Sequence, residues 1–170
     1  MSKMTLASGL VAGALCALST VASADDVLAR FKGGVGVHPL SNFTTVPVPN
    51  TVRGVSPAGQ IWVMDKLEAK VAVNGHITLE GKGLVLAGGN NAGRATGQAV
   101  FATLICEAAA PFTLSNTNLT GVVLTATGDF KINDMLSPAP AFPCLSPMLL
   151  IRNAAGGTWF AVGILRSNDD

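Results

Sequence analysis

Few residues in this 170-residue chain can do chemistry. Cys106 and Cys144 stand in its second half, and a third cysteine, Cys16, lies near its start. In an oxidising compartment such a pair bridges, so a Cys106–Cys144 disulfide is expected. It would close a loop of about 40 residues and contribute on the order of 3–4 kcal/mol in the chain-entropy model; two buried free thiols are the alternative. Glu107 follows Cys106 and precedes three alanines. A carboxylate there could occupy a pocket with a raised pKa and work as an acid or base beside Arg152 and Arg53. The plainer reading is a strand-end acid bonded to backbone N–H groups or paired with Arg152. That reading carries more weight, because structural pairs perturb carboxylates as readily.

Metal and nucleophile chemistry find less support. His38 sits beside a proline and His76 in a turn. Met135, Met148 and the cysteines invite comparison with a copper centre, but that site needs a histidine soon after its cysteine, and none follows Cys106. No metal and no cofactor is therefore expected. The chain lacks a G-x-S-x-G elbow; Ser56 and Ser146 precede prolines and read as turn residues. Gly81-x-Gly83 and the glycines of 88–93 resemble phosphate loops in glycine content alone. Asn42-Phe43-Thr44 and Asn118-Leu119-Thr120 match the glycosylation sequon, which matters only in a eukaryotic secretory route. No catalytic residue is assigned, and no ligand-binding residue can be named.

Positioning such residues would fall to strands. Between 61 and 73 the odd positions are Ile61, Val63, Leu67, Ala69, Val71 and Val73, and Lys66, Glu68 and Lys70 occupy even ones. Period two with one wet face indicates a strand. Asn74-Gly75 signals a turn, and Ile77 and Leu79 then point inward on the return strand, with Thr78, Glu80 and Lys82 outward. Opposed residues share a face, so parity demands a three-residue loop. One register opposes Lys70 to Glu80 and Glu68 to Lys82. The other opposes Lys66 to Lys82 and Glu68 to Glu80, and suits a bulge at Gly75. Charge favours the first. The 98–107 stretch is apolar at nearly every position and reads as a central strand covered on both faces. Short strands are expected at 84–86, 112–114, 122–125 and 129–132, with a last hairpin of 148–152 and 158–165. Residues 25–50, with their glycines and prolines, read as an arm or edge strand, 51–166 as one β-domain, and 167–170 as a frayed end.

The start of the chain has its own pattern. Lys3, an apolar stretch over 6–21 and Ala22-Ser23-Ala24 before Asp25 follow the order of a secretory signal cleaved between Ala24 and Asp25. The stretch is too interrupted for a stable span of roughly 20 apolar residues, and Leu15 before Cys16 argues against lipidation. Losing this leader takes Lys3 away and leaves ten basic against ten acidic residues. A neutral chain with scattered charges offers no nucleic-acid patch. Its Val, Leu, Ile and Phe content is enough to build a core.

The run Val52-Arg53-Gly54-Val55-Ser56-Pro57-Ala58-Gly59-Gln60-Ile61-Trp62 resembles a family of exported bacterial all-β proteins. So do the run from Val100 to Glu107 and the run Leu149-Leu150-Ile151-Arg152-Asn153-Ala154. The resemblance implies a single exported domain and assigns no residue a role.

The sequence thus predicts an exported, secreted or periplasmic, all-β protein: a single-domain antiparallel β-sandwich or, alternatively, a small closed β-barrel. The expected role is non-enzymatic, structural or binding, with self-association left open. A barrel binding an apolar ligand is the second reading, and an enzyme around Glu107, Arg152 and Arg53 the third.

Overall fold

Alternating apolar and polar positions, broken by Gly, Asn and Pro turns, build the described residues from strands without helix. The computed structural model describes residues 26–42 and 46–166. The leader expected over 1–24, the cleavage point expected at Ala24–Asp25 and the end over 167–170 lie outside the described residues. Among the described residues thirteen strands follow in order: β1 (Val27–Gly36), β2 (Leu40–Asn42), β3 (Val48–Pro49), β4 (Trp62–Val63), β5 (Lys66–Ala72), β6 (His76–Lys82), β7 (Val85–Leu86), β8 (Ala99–Ile105), β9 (Ser115–Asn116), β10 (Val122–Val123), β11 (Phe130–Met135), β12 (Met148–Asn153) and β13 (Trp159–Arg166). Nine of them form one antiparallel sheet in the order β10-β8-β12-β13-β1-β5-β6-β11, with β9 also on β8.

This sheet curls until its ends meet. A tight turn joins β10 to β11, with Thr125 N–H donating to Asp129 O at 3.0 Å. Asn116 in β9 and Ser137 after β11 exchange backbone bonds of 2.9 and 2.8 Å. Of the two all-β arrangements expected, the sheet takes the barrel-like one, nearly closed. Near-closure shortens the exposed strand edges that invite aggregation. The core includes Phe31, Leu67, Val71, Ile77, Leu104, Leu149 and Ile151, all buried. Fully burying each such side chain stabilises by about 1.5–3 kcal/mol.

Several elements match the sequence reading. Val100 through Ile105 of β8 are at most 3 % exposed, so this strand is covered on both faces. The final hairpin pairs β12 with β13. Other elements differ. β1 is no edge strand: it lies between β13 and β5. Its glycines read as flexibility but serve close approach, since a Cβ on Gly36 would lie 2.0 Å from the Trp62 carbonyl oxygen. Ile61 and Val63 are exposed while Trp62 is buried, because the strand breaks at Met64-Asp65 and restarts in the opposite phase. Pairing at 112–114 moves to β9, and β11 runs on to Met135.

The β5–β6 hairpin has the expected three-residue loop, but not the charge-paired register. Lys66 opposes Lys82 and Glu68 opposes Glu80. Gly75, with φ +87°, supplies the left-handed residue that this turn requires. The charges are satisfied elsewhere: Lys66 reaches Glu68 along its own strand at 3.3 Å, and Glu80 takes Lys82 at 3.5 Å and Lys131 of β11 at 3.7 Å. Surface pairs of this kind contribute little, so turn geometry wins.

Candidate functional site

Cys106 and Cys144 are joined by a disulfide, with Cα atoms 4.8 Å apart. It ties the end of β8 to the proline-rich crossing before β12. Arg53 braces the same junction. Val52 and Val55 close a two-residue turn that puts Arg53 (φ 46°) and Gly54 (φ 79°) in left-handed conformations. From there the guanidinium donates to Ile105 O at 3.0 Å, Ser146 O at 2.6 Å and Ser146 Oγ at 2.7 Å.

Glu107 does not meet the arginines. None of the ion pairs among the described residues joins it to Arg53 or Arg152. Its carboxylate accepts from the Thr113 N–H at 3.2 Å, and that bond holds its pKa below the ordinary value. A lowered pKa suits a strand-end acceptor and is the reverse of what a proton donor needs at neutral pH. Arg152 donates through Nε to Gly157 O at 2.7 Å and lies 5.1 Å from the Phe101 ring centre. Burial pushes its pKa below the usual arginine range. Each of the three residues is thus engaged in local structure.

Among the described residues no three His, Cys, Asp or Glu side chains gather as a metal site, and no helix is long and apolar enough to cross a membrane. A surface depression of about 370 Å³ beside Asn118 and Asp134 is occupied with its own bonds, since Asp134 accepts from the Asn118 and Met135 N–H groups at 2.7 and 2.8 Å.

The outer face of β1, β5, β6 and β11 is different. Its outward side chains, with Arg166 at the end of β13, line a groove of about 630 Å³. The register sorts them into two rows crossing the strands. The first runs Arg166–Arg30–Lys70–Thr78–Asn133. The second runs Lys32–Glu68–Glu80–Lys131. Charge cancels in the second row, whereas the first has three consecutive cations and no acid. Among the described residues no carboxylate lies within ion-pair distance of Arg30 or Lys70. Like charges directly opposed across strands are destabilising, and Arg30 and Lys70 are so opposed. An anion laid along it would relieve the repulsion and gain charge-assisted hydrogen bonds.

Sequence reasoning identified Lys70 and Thr78 as outward, but had no means of bringing Arg30, Asn133 and Arg166 beside them. The Arg30-Phe31-Lys32 alternation was the available signal; the pairing of distant strands was not. Compared with protein-family models, curated proteins and solved structures, the chain matches none.

Proposed function

We propose that this is an exported, non-enzymatic β-barrel domain that binds an anionic ligand in the groove over β1, β5, β6 and β11. The observation that carries the reading is the directly opposed pair Arg30–Lys70, with no carboxylate of the described residues within ion-pair distance, in a groove of about 630 Å³, a volume in the range of small-molecule sites. Export rests on the leader pattern of 1–24 and agrees with the Cys106–Cys144 disulfide. The apolar-ligand reading is less favoured, because interior positions such as Leu67, Ile77, Leu104 and Ile151 are filled by packed, fully buried side chains. The enzyme reading is less favoured because Glu107 is engaged by Thr113 and pairs with neither arginine.

Pyrophosphate titration followed by amide NMR shifts tests the binding role. The expected shifts centre on residues 30, 70 and 78 and disappear in an Arg30→Gln/Lys70→Gln variant. Shifts spread evenly over all surface lysines, or unchanged in that variant, would refute it.

A further inference from the structure

We propose that the groove's anion is a lipid phosphate, and that the outer face of β1, β5, β6 and β11 docks on an anionic bilayer surface; this rests on the anion-binding reading above.

Charge is concentrated on this face. The outward side chains of the four strands include Arg30, Lys32, Lys66, Lys70, Lys82 and Lys131, against the carboxylates of Glu68 and Glu80. The chain as a whole has eleven basic and ten acidic residues, so the remainder of the molecule is net acidic. An anionic surface therefore orients the protein with this face toward it. Asp129, just before β11, is engaged by the Gly83 N–H at 3.1 Å. Lys66, Lys82 and Lys131 meet the two glutamates at 3.3, 3.5 and 3.7 Å. Exposed pairs of this kind contribute little, so these lysines can turn to other anions.

The cations are spread, not gathered. Three strand spacings separate β1 from β11, about 14 Å, and the four residues from Lys66 to Lys70 cover a similar distance. One small anion reaches Arg30 and Lys70 alone. A layer of headgroups meets the whole face.

An apolar shoulder adjoins the charges. A Cβ on Gly34 would meet Met64 and Leu67, and one on Gly163 would meet Phe31 and Leu149, so these paired glycines face the interior. Their neighbours Val35, Val162 and Ile164 face the other way, as Arg30 does. Val35 pairs with Val162, and Ile164 lies over Gly33, its Cδ1 3.1 Å from where a Cβ would stand. Val35 is 53 % and Ile164 48 % exposed. Cations beside exposed apolar side chains suit a bilayer interface, where the charges meet phosphates and the apolar groups enter the headgroup boundary. A nucleic-acid backbone gives the shoulder nothing to bury against. Single strands draw on aromatic platforms, and the groove's one aromatic residue, Phe31, is buried.

The test is co-sedimentation of the secreted, disulfide-bonded protein with vesicles of phosphatidylcholine containing about one-third phosphatidylglycerol, in the range where anionic lipid sets the surface potential. These should bind it, and pure phosphatidylcholine vesicles should not. Binding should be lost at 1 M salt, where the Debye length is about 3 Å. Arg30→Gln, Lys70→Gln and Lys32→Gln should each weaken it about five-fold. Ile164→Ser should weaken it without altering the pyrophosphate response, which separates the bilayer from a free phosphate. Arg94→Gln, outside this face, should leave it unchanged. Pyrophosphate shifts without vesicle binding, or a DNA duplex bound as tightly as the vesicles, would overturn the bilayer inference alone. So would vesicle binding that ignores Lys32 and Ile164. Absence of both vesicle binding and pyrophosphate shifts would overturn both readings.

Discussion

Neutralising Arg30 should make the free protein more stable, an unusual outcome for removing a charged side chain from a folded sheet. Arg30 stands between Arg166 on β13 and Lys70 on β5, directly opposed to each. Two unit charges about 5 Å apart repel by about 0.8 kcal/mol in water. Screening at 0.15 M salt, where the Debye length is about 8 Å, cuts each term to about half. Counting Lys70 alone, with a weaker diagonal attraction to Glu68 to subtract, Arg30→Gln relieves roughly 0.2–0.4 kcal/mol. In a domain of this size that is about 1 °C in melting temperature. At 0.01 M salt the Debye length is about 30 Å and the gain should rise to about 1.6 times that value; at 1 M, with about 3 Å, it should fall to about a third. Thermal melts of both proteins by circular dichroism at the three salt concentrations read this directly. If the wild type is the more stable at low salt, or if the difference ignores salt, the cation row is not a repulsive element and the case for its ligand loses its main support.

Other outcomes follow from the same structure. Reducing the Cys106–Cys144 bridge, or replacing both cysteines by Ala, releases a loop of sequence separation 38; the chain-entropy model gives a loss of about 4 kcal/mol, readable as a lower urea midpoint. Gly36→Ala puts a methyl group against the Trp62 carbonyl and should destabilise by about 1–3 kcal/mol, with the same assay as the check. For Glu107 the folded pKa is lowered, chiefly by the Thr113 N–H. Its contribution is therefore present above the ordinary carboxylate range and lost as pH falls through the folded value. Glu107→Gln should flatten that part of the acid-unfolding curve and leave stability near pH 7 little changed. Intact-mass measurement of the secreted protein should give a chain beginning at Asp25 and lighter by two hydrogens; a mass retaining 1–24 would refute the leader reading.

Much of the fold was legible from local pattern. Leu67-Ala69-Val71 against Lys66-Glu68-Lys70 could only be one strand with one wet face. Val100 to Ile105 had no polar side to offer water, so β8 had to be buried on both faces. Cys106 and Cys144 are the only cysteines after Cys16, so each has only the other in the part of the chain beyond the expected leader. The register of the β5–β6 hairpin was misjudged because weak surface charges were weighed above the backbone demand of Gly75. The enzyme reading around Glu107 named residues that share the β8–β12 region but point to different partners: Thr113 for Glu107, Ser146 for Arg53 and Gly157 for Arg152.

Sequence by itself determined the strands and wet faces of 66–72 and 76–82, the two-sided burial of 100–105 and that two cysteines could bridge, because those follow from periodicity and residue type within a few positions. Tertiary structure alone decided that β1 enters the middle of the sheet, between β13 and β5. That one placement brings Arg30 between Arg166 and Lys70 and makes three scattered cations into a row. Pairing between strands more than a hundred residues apart depends on how the whole barrel closes, and no local pattern encodes it.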